Sequence, residues 1–347
     1  MRTAPDHPPH ARTAGLTRRI PLNFFGMPFG LTGLATCWST AAGYGLVPAA
    51  VGEALAALAG LVWLVLVTAY LRCAVAIRGA LRRDLGDRLL SPFAALVPLT
   101  PMLLCATALR PHAAMPARVA VDVLVAAVVL LGGWLTGDWI YGPLRVDQVH
   151  PGYLLPTVAG GLIAGAAAAM VGQPRLGYVL AGLGGVCWLA LGSIVLARLL
   201  TRPLPPVALL PTLAIEMAPP AVASLAWFAL AGDRLGPVAE ALGGYTLLMV
   251  LAQLRLVPCY LRLRFTPGFW AFAFSSAAVA TIGLHWLHDA APPGGRWGAY
   301  AVLVVISVFI GGLAARTTRA FVGGQLLPPV TALFPDPNLS DREPAHV

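Results

Sequence analysis

Fourteen acidic residues, seven histidines and five cysteines are all that this 347-residue chain offers for proton transfer, metal ligation or nucleophilic attack. Their spacing favours little of it. Asp84 and Asp87 lie in RRDLGDR, a loop of the kind in which membrane prenyltransferases hold a magnesium diphosphate. That chemistry needs a second acidic cluster on another loop of the same side, and residues 198–206 (RLLTRPLPP) have none. A membrane-embedded enzyme is therefore the weaker class, and the two aspartates read as a solvated turn. His285 and His288 are one helical turn apart, but two histidines without a third ligand make no metal centre, and they read as interfacial. Asp122, one turn inside its apolar stretch, reads as an interfacial acid reaching toward Arg118. Cys37, Cys73, Cys105, Cys187 and Cys259 stand singly in apolar stretches without CxxC spacing, as packing residues do. No cofactor and no metal is expected.

Glu216 is a different case. It is the one acid near the middle of a proline-bearing apolar stretch, one turn before Pro219 and Pro220. A charge at the bilayer centre costs roughly 2.5–3.5 kcal/mol on insertion scales, so the carboxyl must be protonated, paired or hydrated. It reads either as a proton-carrying or pH-sensing group, or as a neutral acid bonded to a carbonyl that the prolines leave free. The residues alone leave both open.

The elements that must position these residues follow from composition. With 58% hydrophobic residues, 11% charged residues and a mean hydropathy of +0.78, there is too little polar surface to cover a soluble globule. About 20 apolar residues cross a bilayer, and ten such stretches fill the chain. Prolines divide them into two kinds. Stretches 21–42, 91–110, 151–172 and 206–230 carry interior prolines, among them Pro28, Pro98, Pro156, Pro219 and Pro220. The even stretches, 50–72, 117–137, 176–198, 237–257 and 297–318, carry them only at their edges. An interior proline frees a carbonyl that must face protein or water. Kinked helices therefore belong inside and straight ones can face lipid.

The reading is an all-α polytopic membrane protein of ten transmembrane helices. They form five tandem helical hairpins, with an inner ring of Pro-kinked odd helices around a pore. Gly26, Gly30 and Gly33, and Gly160, Gly161 and Gly165, permit close backbone approach. The inner stretches hold no arginine, so such a pore would select anions weakly, through amide dipoles and shape. Residues 20–320 form the channel domain, between disordered cytoplasmic tails at 1–19 and 321–347. The +9 charge comes from arginine alone and follows topology rather than marking a nucleic-acid surface. Eighteen of the 23 basic residues fall on one side of the alternating loops, which places both termini in the cytoplasm of a plasma (inner) membrane protein.

Residues 23–38 (NFFGMPFGLTGLATCW), 205–228 (PPVALLPTLAIEMAPPAVASLAWF) and 265–280 (FTPGFWAFAFSSAAVA) resemble the first, seventh and ninth helices of the tellurite-resistance/dicarboxylate transporter family. HPGYLLPTVAGG at 150–161 and SPFAALVPLTP at 91–101 suit its fifth and third. That family includes bacterial TehA, plant slow-type anion channels, fungal malate permeases and sulfite exporters. The resemblance implies five hairpins, a homotrimer with one pore per subunit, and a pore occluded by a phenylalanine of the ninth helix. Trp270, Ala271, Phe272, Ala273 and Phe274 fit the gate motif, which assigns the gate to Phe274, with Phe272 or Phe269 as the fallback. Ser275 departs from the motif where proline is common, which implies a less bent ninth helix. The expected function is an anion channel or channel-like exporter of small inorganic or organic anions. The alternative is a proton-coupled carrier of C4-dicarboxylates, another organic acid or sulfite.

Overall fold

The computed structural model describes residues 20–324 apart from Pro143 and Asp233. The expected tails at 1–19 and 321–347 thus lie outside the described residues, save for 321–324. Helix 1 is a 3-10 turn, Leu22–Phe25, continued as the α-helix Gly26–Gly43. Nine further helices are long and apolar enough to cross a membrane. In chain order helices 2 to 5 are Ala49–Ala76, Ser91–Leu109, Ala114–Tyr141 and Pro151–Met170. Helices 6 to 10 are Pro174–Thr201, Val207–Ala231, Pro237–Tyr260, Pro267–Ala290 and Gly295–Val322. By length and hydropathy the described residues thus give nine spans where ten were expected. Helix 1 is not among the nine; Asn23, Thr32, Thr36, Ser39 and Thr40 dilute its apolar character. Even helices run further than the hydropathy boundaries suggest, helix 6 from 174 to 201 rather than 176 to 198. A hydropathy reading stops at polar or charged residues, whereas the backbone continues with arginine stems lying along it.

Burial follows the alternation of odd and even helices, with helix 9 buried although it has no interior proline and helix 8 exposed although Pro258 lies inside it. Helices 3, 5, 7 and 9 have 50–78% of their apolar window buried, and helices 2, 4, 6, 8 and 10 only 17–28%. The local reason is that prolines change the helix type. Helix 5 opens as a 3-10 turn, Pro151–Leu154, becomes a π-helix over Leu155–Ala159 around Pro156, and only then turns α. Helix 7 is 3-10 from Val207 to Met217 and α from Ala218, the change falling just before Pro219 and Pro220. In helix 3, Pro98 lies in the first α turn after a 3-10 start, and a π-helix, Cys105–Leu109, ends it. Pro28 lies in the first α turn of helix 1. Side chains answer some of the carbonyls involved: Thr32 Oγ1 donates to Pro28 O at 2.9 Å, Ser224 Oγ to Pro220 O at 3.0 Å, and Gln253 Nε2 of helix 8 to Leu213 O at 2.9 Å. Helix 9, with Ser275 in place of proline, is one uninterrupted α-helix from Ala271 to Ala290. There Ser275 Oγ donates to Ala271 O.

Glycine fixes how closely helix 1 meets helix 9. A Cβ on Gly30 would stand 2.5 Å from Ala273 Cβ, and one on Gly33 3.0 Å from both Ala277 Cβ and Phe274 Cδ2. Helices 5 and 6 meet the same way, with a Cβ on Gly161 reaching 2.5 Å from Gly184 N. The first of these seams brings the ring of Phe274 against helix 1.

All five odd helices start in one manner. Each opens with a 3-10 turn at a proline: Pro21, Pro92, Pro151, Pro206 and Pro267. Proline suits a first turn, where its missing N–H would have no partner. These starts lie at one end of the bundle, the near end; the odd helices finish at the far end.

Candidate functional site

Two cavities lie along the axis of the bundle, and every residue lining them belongs to helix 1, 3, 5, 7 or 9. The near cavity, about 40 Å³, is walled by early turns of the odd helices, including Asn23, Phe93, Leu154 and Gly268. The far cavity, about 210 Å³, is walled by their later turns, with the hydroxyls of Thr36, Thr40, Thr107 and Thr281 and the imidazole of His285. A third space of about 550 Å³ shares Thr36, Thr40, Thr107, Met170 and His285 with the far cavity and adds Glu53, Arg110 and His112. It is the far vestibule.

Phe274 and Val222 line both the near and the far cavity, so they stand at the boundary between them. Phe274 is 8% exposed and stacks on Phe29 of helix 1, with ring centroids 3.8 Å apart and planes 20° apart. Such a pair is worth about 0.5–1.5 kcal/mol beyond the area it buries. Swinging the ring aside is therefore a rotamer change at small cost. Phe29 was not singled out from sequence. Its signal was there, an aromatic next to Pro28 on the stretch whose glycines allow close approach.

The other sequence candidates lie elsewhere. Phe272 faces away from both cavities and packs against Tyr260, Phe269 and Phe309, with centroids 4.8, 6.0 and 6.5 Å away. Phe269 lines neither cavity and packs on Phe265. Of the prolines Pro28, Pro98, Pro156, Pro219 and Pro220, only Pro219 lines a cavity; the rest shape the backbone that does. Glu216 lines neither cavity, although its neighbours Ile215 and Ala218 do. It lies near enough to Tyr245 of helix 8 to couple electrostatically, and its Oε1 is buried without a hydrogen-bond partner.

His285 is buried rather than interfacial. Its ring stacks on Phe228 at 4.4 Å and its Nδ1 is 2.5 Å from the Tyr44 hydroxyl, while His288 stacks on the Tyr44 ring at 3.8 Å. No group of three metal-ligating side chains occurs among the described residues. Asp122 accepts from Gln173 Nε2 at 2.5 Å, a partner in place of the expected Arg118. Asp84 accepts from the Tyr70 hydroxyl at 2.9 Å, and Asp87 caps the N–H groups of Leu89 and Leu90. Both aspartates thus serve the loop's own structure.

At the near end His150 ties the loop before helix 3 to the first turn of helix 5. Its Nε2 meets Leu89 O at 3.1 Å and its Nδ1 accepts from Gly152 N at 3.1 Å, which fixes the proton on Nε2. Burial lowers its pKa to about 4, against the raising effect of the Leu89 bond, with Arg198 nearby lowering it further. It is a neutral structural clamp.

The sequence is similar to known proteins along most of its length. A family described as "Voltage-dependent anion channel" (SLAC1) matches residues 19–318. The "Tellurite resistance protein TehA homolog" of Haemophilus influenzae is 27% identical over 328 residues, covering 90% of this chain and 95% of that protein. The matched region takes in helices 1 to 9 and most of helix 10, and with them every residue of both cavities: the chain is a multi-pass membrane protein that belongs to the voltage-dependent anion channel family.

Proposed function

We propose that this protein is an anion channel whose path runs through the two cavities and is closed at Phe274. Helices 1, 3, 5, 7 and 9 form an inner ring, helices 2, 4, 6, 8 and 10 face lipid, and all ten cross the membrane as five tandem hairpins. The single observation that carries this reading is that a phenylalanine ring stands between two spaces lined only by odd helices. An apolar ring at a narrow point blocks ions by bulk and by excluding water. Phe274 rather than Phe272 takes the role, because Phe272 lines neither space. The near end lies in the cytoplasm of the inner membrane, supported by its share of the arginines. Residues 20–320 are the conducting unit, and assembly as a homotrimer rests on the family resemblance.

Glu216 has no place in this path. Anion flux into liposomes, measured over chloride, nitrate, sulfite and malate with and without a pH gradient, tests the reading. Flux that needs no proton gradient is expected. Flux that stops without one would replace the channel by a proton-coupled carrier.

A further inference from the structure

Among the described residues, the far vestibule brings fixed charge beside the two cavities. Arg110 lies on its wall, and Arg110 Nη1 donates to Met170 O at 3.1 Å. Met170 also lines the far cavity, so this bond pins the guanidinium beside the throat between the two spaces. Among the described residues no carboxylate pairs with Arg110; the vestibule's Glu53 instead meets His112 Nε2 at 3.5 Å. Thr36 and Thr107 spend their hydroxyl protons on Thr32 O and Leu103 O. Thr40, which lines both spaces, makes no such bond among the described residues and has a proton to offer.

We infer that the far vestibule is an anion-capture site in which Arg110 supplies the attracting charge, Thr40 a hydroxyl donor at the throat, and Glu53 an opposing charge. The ligand class is a small inorganic anion of the size and charge of nitrate or chloride. This rests on the channel reading and deepens it. A cation at the mouth of a narrow, low-dielectric path concentrates anions there without changing the barrier at the ring. It acts only within about a Debye length, ~8 Å at physiological salt, which is why its tether to the throat matters. Removing it should therefore raise the anion concentration needed for half-maximal flux and leave the maximum alone.

The test uses the Phe274→Ala protein in liposomes, with nitrate flux measured against nitrate concentration. Adding Arg110→Gln should raise the half-saturating concentration about threefold to tenfold. Arg110→Lys should stay within about twofold of the parent and Glu53→Gln should shift the value downward, by the same electrostatic argument. An unchanged half-saturation in Arg110→Gln overturns the proposal, and so does a loss of maximal flux alone, which would mark a structural role. Thermal stabilisation of the detergent-solubilised proteins by nitrate reads the same site without conduction. Arg110→Gln should need several-fold more nitrate for the same shift, and equal titrations would also overturn the proposal. A protein that binds nitrate in this Arg110-dependent way but carries no flux as Phe274→Ala would sink the channel reading and leave the capture site standing.

Discussion

The two sides of Phe274 are built to different ends. The near cavity is about 40 Å³, and its polar lining comes down to Asn23 and Ser275, the hydroxyl of Ser275 already donated to Ala271 O. The far side opens from about 210 Å³, where Thr281 adds its hydroxyl, into a vestibule of about 550 Å³ with three threonines, His285, Arg110, His112 and Glu53 along its walls. The near half is narrow because helices 1 and 9 meet through glycine, and that approach also stacks Phe29 on Phe274. One seam thus gives both the close approach of helices 1 and 9 and the stacked ring pair. The far half, which the seam enters only at Gly33, has room for water and polar side chains. On the proposed reading, resistance belongs at and below the ring and reception above it.

The seam is the part whose loss should have the largest effect. Gly30→Leu would drive a side chain into the Ala273 Cβ and the Trp270 ring, and folded protein should be lost on size-exclusion chromatography. Gly43→Leu, with nothing within 4 Å of its Cβ, should fold normally. Equal yields of the two would break the claim that glycine packing sets the near side. Phe29→Ala is milder. It leaves Phe274 in place without its stacking partner, so anion flux should rise several-fold with folding intact; unchanged flux would show that Phe274 closes the path unaided.

A pH effect comes next. In the folded protein His150 stays neutral down to about pH 4, whereas in the unfolded chain it takes up a proton below about 6.5. Its contribution to stability is present above pH 6.5 and is lost between pH 6.5 and 4, by at most roughly 3 kcal/mol. The thermal midpoint in detergent should fall over that window, and His150→Asn should flatten the fall. A midpoint that rises on acidification would contradict the clamp. The smallest effect is expected at Glu216, which lines neither cavity: Glu216→Gln should change flux by less than about twofold, within the usual range for a site away from the path. A larger change, or a shifted pH dependence of flux, would return Glu216 to the mechanism.

The division into buried and exposed helices was legible in Pro28, Pro98, Pro156 and Pro219, because an interior proline has physical consequences wherever it falls. The choice of Phe274 rested only on the resemblance, since a phenylalanine in an apolar helix carries no mark of what it faces; what the structure adds is its position between two cavities. Phe29 stayed hidden for the same reason: its partner is 245 residues away in sequence, and only the Gly30 and Gly33 contacts bring the two together. Glu216 shows a second limit. An α-helix advances about 100° per residue and a 3-10 helix about 120°. Over the nine steps from Val207 to Glu216 the difference sums to roughly 180°. A helical wheel drawn at the α period therefore misplaces Glu216 by about half a turn relative to Val207. The common proline start of the odd helices, from Pro21 to Pro267, was visible but lay at boundaries, where prolines are expected and so draw no notice.

The central claim is that one ring closes the path. Conductance of nitrate and chloride through Phe274→Ala, Phe272→Ala and the unaltered protein, compared in planar bilayers at equal amounts of folded protein, tests it most directly. Phe274→Ala should conduct at least about tenfold more than the unaltered protein, because the change leaves water in a pore rather than a hole in a core, and Phe272→Ala should stay near the unaltered level. The reverse order, or equal conductance in all three, would contradict the account.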